Sequence, residues 1–199
     1  MRILNHDDFN YYKLINHPLT VIHSDWITEL TGVSRLCYRN LIENNATRSQ
    51  LNNVLKMKFQ LITESMEDFF VDKNKLVYQI IGKAKIMAIS GALFEMKCPD
   101  YLFSGHYREH LINELGYENV KQLSFFWKDG DGRAEYTNTN FCDKLLAYGS
   151  GNLEYIFRNE PLWEIVKYLL PKGGEIKANN IDENFLNRLN RTLSPYEAL

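Results

Sequence analysis

Residues 76–90 read LVYQIIGKAKIMAIS. Leu76, Ile80, Ala84 and Met87 recur at intervals of three and four, with Val77, Ile81 and Ala88 one place along. Such spacing returns apolar groups to one side of an α-helix, whereas a half-buried strand alternates apolar and polar residues. A stripe this wide is the face of a helix central to a core. Gly82 sits inside it at a cost of ~1 kcal/mol relative to alanine, which predicts a close crossing by another helix.

The same period extends outward in both directions. In TRSQLNNVLKMKFQLI (47–62), Thr47 and Gln50 match a capping box, and Leu51, Val54, Leu55, Phe59 and Ile62 mark one face. Ser104 is placed to cap HYREHLINEL, with Gly116 where a left-handed C-terminal cap belongs. YENVKQLSFFW (117–127) is a short helix or turn, followed by the polar loop KDGDGRAEYTNTN (128–140). In PLWEIVKYLLP, Pro161 suits a first helical position, Leu162, Ile165, Val166 and Leu169 keep the helical period, and Pro171 stops it. LTVIH (19–23) is too short a β-branched run to found a sheet. The expectation is an all-α fold of about eight to ten helices with little or no sheet.

KGGEIKANN (172–180) is a glycine- and asparagine-rich break in this pattern. The predicted organisation is a helical body over 1–171, then a linker and amphipathic helix over 172–199. In that helix Asp182 is the cap, and Phe185, Leu189 and Leu193 recur every fourth residue. It is expected to dock on the body, with a partner as the alternative.

Composition narrows the function. The chain has 199 residues, enough to bury roughly 70% of its unfolded surface without metal or disulfide support. A net charge of -2 provides no basic stripe for nucleic acid. Lys83, Lys85 and Lys97, and likewise Lys121, Lys128 and Arg133, read as solvated faces. Cys37, Cys98 and Cys142 are odd in number and widely spaced, as in reduced thiols rather than a disulfide framework. The N-terminus MRILNHDDFNYY lacks the apolar run of a signal peptide. No stretch reaches the ~20 apolar residues of a membrane span, so membrane contact is expected only through a partner.

One motif suggests catalysis. HYREH (106–110) fits H-x-x-E-H, with His106 and His110 as zinc ligands and Glu109 as general base. Glu154, Glu160 or Glu164 would supply a third ligand. The apolar stripe through Tyr107, Leu111, Ile112 and Leu115 turns both histidines to its rim, and no sheet edge is available for an extended substrate. A solvated helix face is the preferred reading, with a zinc hydrolase as the alternative. The loop from Asp129 fails as a calcium site, because Ala134 and Asn140 stand where an EF-hand needs glycine and glutamate. His17 and His23 straddle Pro18 and share no helical face. No nucleophile elbow, phosphate loop or dinucleotide fingerprint occurs, and no cofactor is expected.

Three stretches together resemble a known family. LINHPLTVIHSDWITEL (14–30), LVYQIIGKAKIM (76–87) and LLAYGSGNLEYIFRNEPLWEIVKYLLP (145–171) are similar in order to blocks of the type III secretion K proteins, the SctK family. The resemblance spans about residues 10–171. Two features depart from the family pattern: the KDGDGR loop and the helix over 182–193.

The resemblance implies a non-enzymatic cytoplasmic adaptor in the sorting platform of an injectisome. Its partners would be the cytosolic domain of an SctD-type inner-membrane ring protein and an SctQ-type pod scaffold. Through the pod it would connect to SctL and the secretion ATPase. A secretion chaperone or gatekeeper is a further alternative. For an adaptor, the candidate anchors are Trp26, Trp127, Tyr136, Arg158 and Trp163, with loop-borne Trp127 and Tyr136 preferred and core burial the competing fate of each.

Overall fold

The computed structural model describes residues 6–34, 37, 43–59, 75–136, 140–173 and 181–194. Among them are eleven α-helices and no strand, so the chain is all-α. The first six are α1 (His6–Asn16), α2 (Ser24–Thr31), α3 (Asn45–Lys58), α4 (Leu76–Gln79), α5 (Ala84–Met96) and α6 (Pro99–Phe103). The rest are α7 (Gly105–Leu115), α8 (Tyr117–Phe126), α9 (Phe141–Phe157), α10 (Trp163–Val166) and α11 (Glu183–Thr192). They form two compact units, one within Met1–Gly82 and Glu160–Lys172, the other within Lys83–Asn159 and Gly173–Leu199.

In the first unit, α1 packs on α3 and α4. Leu14, Leu55, Ile80, Trp163, Val166 and Leu170 are fully buried. A Cβ on Gly82 would lie 2.1 Å from Asn10 Nδ2 of α1, so the missing side chain leaves that space to α1. Gly82 also interrupts the helix predicted across 76–90. α4 ends at Gln79, a 3₁₀ turn runs over Ile81–Lys83, and α5 begins at Ala84. The apolar residues of the stripe are nevertheless all buried.

Other local expectations in this unit shift. α3 starts at Asn45, and Asn44 caps it by accepting from the N–H groups of Ala46 and Thr47 at 3.0 and 3.4 Å. Asparagine three residues upstream therefore takes the role expected of Thr47. Val54 is exposed rather than part of the apolar face, and Ile62 lies outside the described residues. Pro161 precedes a one-turn helix, Trp163–Val166, which tightens into a 3₁₀ turn at Lys167–Leu169. His23 serves the backbone: its Nδ1 accepts the Asp25 N–H at 3.3 Å and caps α2.

The second unit is built around α5, which is buried from Ile86 to Leu93. α9 crosses it at Gly149, where a Cβ would lie 1.9 Å from the Ala88 carbonyl oxygen. The two backbones touch, and no residue with a side chain fits. α6, α7 and α8 pack on one another. Tyr101 stacks on Phe141 with ring centres 5.3 Å apart, and Tyr107 meets both edge-on.

α11 packs on α5 through Leu186 and Leu189 on its buried side. Its start is capped by Asp182, whose carboxylate accepts the Phe185 N–H at 2.8 Å. Its carboxyl end is held by two side chains. Lys83 Nζ donates to the carbonyls of Asn190 and Leu193 at 2.5 and 2.7 Å, so this lysine is half-buried rather than solvated. Asn119 of α8 donates to the Ser194 carbonyl and accepts its N–H, both at 2.9 Å. These bonds satisfy carbonyls that a helix terminus otherwise leaves orphaned. Of the 172–180 break, residues 174–180 lie outside the described residues.

Candidate partner-binding groove

The polar loop after α8 is drawn onto the end of α5. Lys97, the residue after α5, adopts a left-handed backbone with φ +50°. Its carbonyl accepts the Gly132 N–H at 3.1 Å. A Cβ on Gly130 would lie 2.3 Å from that same carbonyl oxygen and 2.8 Å from Trp127 Cζ2. Glycine at 130 therefore lets the loop press on the helix end, and the loop in turn carries Trp127 against α5.

The result is a run of rings. Trp127 lies 5.5 Å from Phe94 and meets Phe103 edge-on at 6.1 Å, while Phe94 meets Phe185 of α11 at 5.1 Å. Contacts in this range are favourable for offset and edge-to-face aromatic pairs. Phe103 remains 50% exposed, so the run reaches the surface. Beside it opens a groove of about 290 Å³, with apolar walls from Phe94, Phe126, Trp127, Ile181 and Phe185. Its charged residues are Lys97, Lys128, Arg188 and Asp129. The Arg188 guanidinium lies 5.5 Å over the Phe185 ring.

The other sequence candidates lie elsewhere. Trp26 is half-buried in the first unit: its indole N–H donates to the Leu170 carbonyl at 2.8 Å and its ring meets Tyr168 edge-on. Trp163 is fully buried. Tyr136 is half-buried and fixed on both sides of its peptide, its N–H donating to Tyr101 Oη at 2.9 Å and its carbonyl accepting from Tyr107 Oη at 3.1 Å. Arg158 is exposed at the end of α9, its guanidinium 4.9 Å over the Tyr155 ring. Of the five anchors only Trp127 lines the groove.

His106 and His110 are both exposed on α7, with ring centres 5.9 Å apart and planes at 85°. Each also meets an aromatic ring, His106 that of Tyr107 and His110 that of Phe141. Among the described residues, no three His, Cys, Asp or Glu side chains gather as a metal-holding group. Glu160 is paired with Lys75, and Glu164 with Lys167 one helical turn on. Two of the thiols are engaged in packing. Burial pushes the Cys142 pKa up to about 12 and raises that of Cys98.

A family model described as a type III secretion system subunit matches residues 9–172. The chain belongs to this family of type III secretion system subunits. No curated protein and no solved structure gives a significant match. The family match covers the Phe94 and Trp127 walls of the subunit's groove and ends before the α11 wall. The KDGDGR loop, through Lys128 and Asp129, and α11, through Phe185 and Arg188, thus complete a groove begun by Phe94 and Trp127, and they are the two features that depart from the resemblance seen in the sequence. Phe94, Phe185 and Arg188 were not legible as site residues. The one local signal was Phe185 with Arg188 three residues on, a pairing that spacing along a helix favours. No helix among the described residues is long and apolar enough to cross a membrane.

Proposed function

We propose that this secretion subunit is a non-enzymatic adaptor of the SctK kind in the cytoplasmic sorting platform of an injectisome. In this reading it joins the cytosolic domain of an SctD-type inner-membrane ring protein to an SctQ-type pod scaffold. SctL and the secretion ATPase are then reached through the pod, and effector export depends on the link. The observation that carries the reading is the family match over residues 9–172, taken with the ordered resemblance of the three sequence blocks to the K proteins.

The side-chain chemistry is consistent with work done by shape. Buried aromatic rings, a glycine-mediated helix crossing and capped helix ends give stiffness, which a load-bearing link needs. Stable contacts between proteins bury ~1,600 Å² in total, with most affinity from a few aromatic or arginine anchors. The groove offers both residue types at one place. Purified subunit is expected to capture the ring-protein domain and the pod scaffold in separate pull-downs. Failure to capture either one contradicts the adaptor.

A further inference from the structure

The ring-lined groove of the second unit is small, aromatic and positively charged in a chain whose net charge is -2. Its volume of about 290 Å³ admits one or two side chains rather than a folded element. Small-molecule sites run from ~300 to ~1,000 Å³, so this one falls at the bottom of that range. Phe94, Trp127 and Phe185 are half-buried, and a cluster of partly exposed rings is the kind of surface that another protein covers.

Charge identifies the occupant. Lys97, Lys128 and Arg188 face the groove against one carboxylate, Asp129. Among the described residues none of these four forms an ion pair. Lys97 has a local partner of another kind, because the carboxyl end of α5 presents partial negative charge there. Lys128 likewise follows the carboxyl end of α8, one residue past Trp127, whereas Arg188 lies within α11 and has no helix end beside it. Of the two acids at the start of α11, Asp182 is committed to the helix cap and Glu183 forms no ion pair with Arg188. Arg188 is held over Phe185 at 5.5 Å, a stacking that limits its freedom and leaves the planar fork to meet a carboxylate with two parallel hydrogen bonds.

We infer that the groove seats an acidic segment of a partner protein: a bulky apolar side chain enters between Phe94, Trp127 and Phe185, and flanking carboxylates meet Lys128 and Arg188. The adaptor reading is needed only to say which protein carries that segment. The chemistry of the groove requires the pattern acid–apolar–acid and disfavours a basic or neutral one. Salt weakens the contact, since the cations are at the surface.

The test uses the full-length subunit and three synthetic dodecapeptides with a central Phe-Leu pair, flanked by Glu, Gln or Lys. Calorimetric titration at low salt is expected to show the Glu peptide binding at least tenfold tighter than the Gln peptide, with no binding of the Lys peptide. Lys128→Glu with Arg188→Glu is expected to lose at least tenfold for the Glu peptide. Both positions are on the surface, so far-UV circular dichroism should match wild type. Equal binding of the Glu and Gln peptides overturns the inference, as does unchanged affinity in the double variant. Wild-type self-association abolished by that variant also overturns it, since the occupant would then be a second copy. Pull-downs of the ring domain and pod scaffold, run in parallel, score the adaptor separately: they can succeed while the peptide series fails, or the reverse.

Discussion

Two surfaces of the second unit bring rings together, and they differ in how they do it. On α7, His106 and His110 meet because they are four residues apart on one helix. At the groove, Phe94, Trp127 and Phe185 come from a core helix, a loop and the last described helix. The first arrangement costs the fold nothing and needs no second element to form. The second needs a left-handed Lys97, two loop glycines pressed on it and a helix held at its end. Spacing along one helix produces proximity by default, whereas convergence of three distant stretches is specified by the whole fold. The second is the better sign of a functional surface.

The largest effect expected comes from the foundation both surfaces share. Gly149→Ala places a Cβ on the Ala88 backbone carbonyl. It is expected to cost about 3 kcal/mol or more, at the upper end of overpacking. A thermal melt reads this, and an unchanged midpoint contradicts the close crossing of α5 and α9. Next is Asn119→Ala, which strips the Ser194 N–H and carbonyl of their partner. Ser194 is exposed, so water can replace the lost partner, and the loss is expected to be about 0.5–1.5 kcal/mol, the net worth of a hydrogen bond. Hydrogen exchange should show it first in α11. Protection of α11 unchanged from wild type contradicts the assignment of Asn119 as the tether of the groove wall.

A smaller effect tests whether any thiol is poised for reaction. With the Cys142 pKa at about 12, on the order of one in ten thousand of its thiols is ionised at pH 8. Cys98 is buried and Cys37 exposed. A thiol reagent at pH 8 is expected to modify Cys37 rapidly and the other two only on unfolding. Fast labelling of Cys142 means its surroundings are more open than described. The smallest effect belongs to the other surface. His106→Ala with His110→Ala is expected to change stability within about 0.5 kcal/mol, as exposed substitutions do. Stoichiometric zinc in the wild type, lost in this variant, revives the hydrolase.

These differences follow what a sequence carries. The helical class was legible because period survives averaging: the stripe residues from Leu76 to Ala88 are buried even though a 3₁₀ turn divides the helix. The Asp182 cap was legible because its partner lies three residues on. Where two local choices compete the reading slips: Asn44 rather than Thr47 caps α3, since both residues suit that role. The groove was hardly legible. Trp127 stood out as a loop aromatic, yet its neighbours depend on where Gly130 and Gly132 let the chain fold back. Arg188 gave only the local sign of Phe185 three residues before it, because the rest of its significance lies in a loop far back in the chain.

The most direct measurement compares partner capture by three forms of the subunit: wild type, Lys128→Glu with Arg188→Glu, and His106→Ala with His110→Ala. Wild type and the histidine variant are each expected to retain both the ring-protein domain and the pod scaffold, and the charge-reversed groove to lose one of them. Loss of capture in the histidine variant, with full capture by the groove variant, would contradict this expectation.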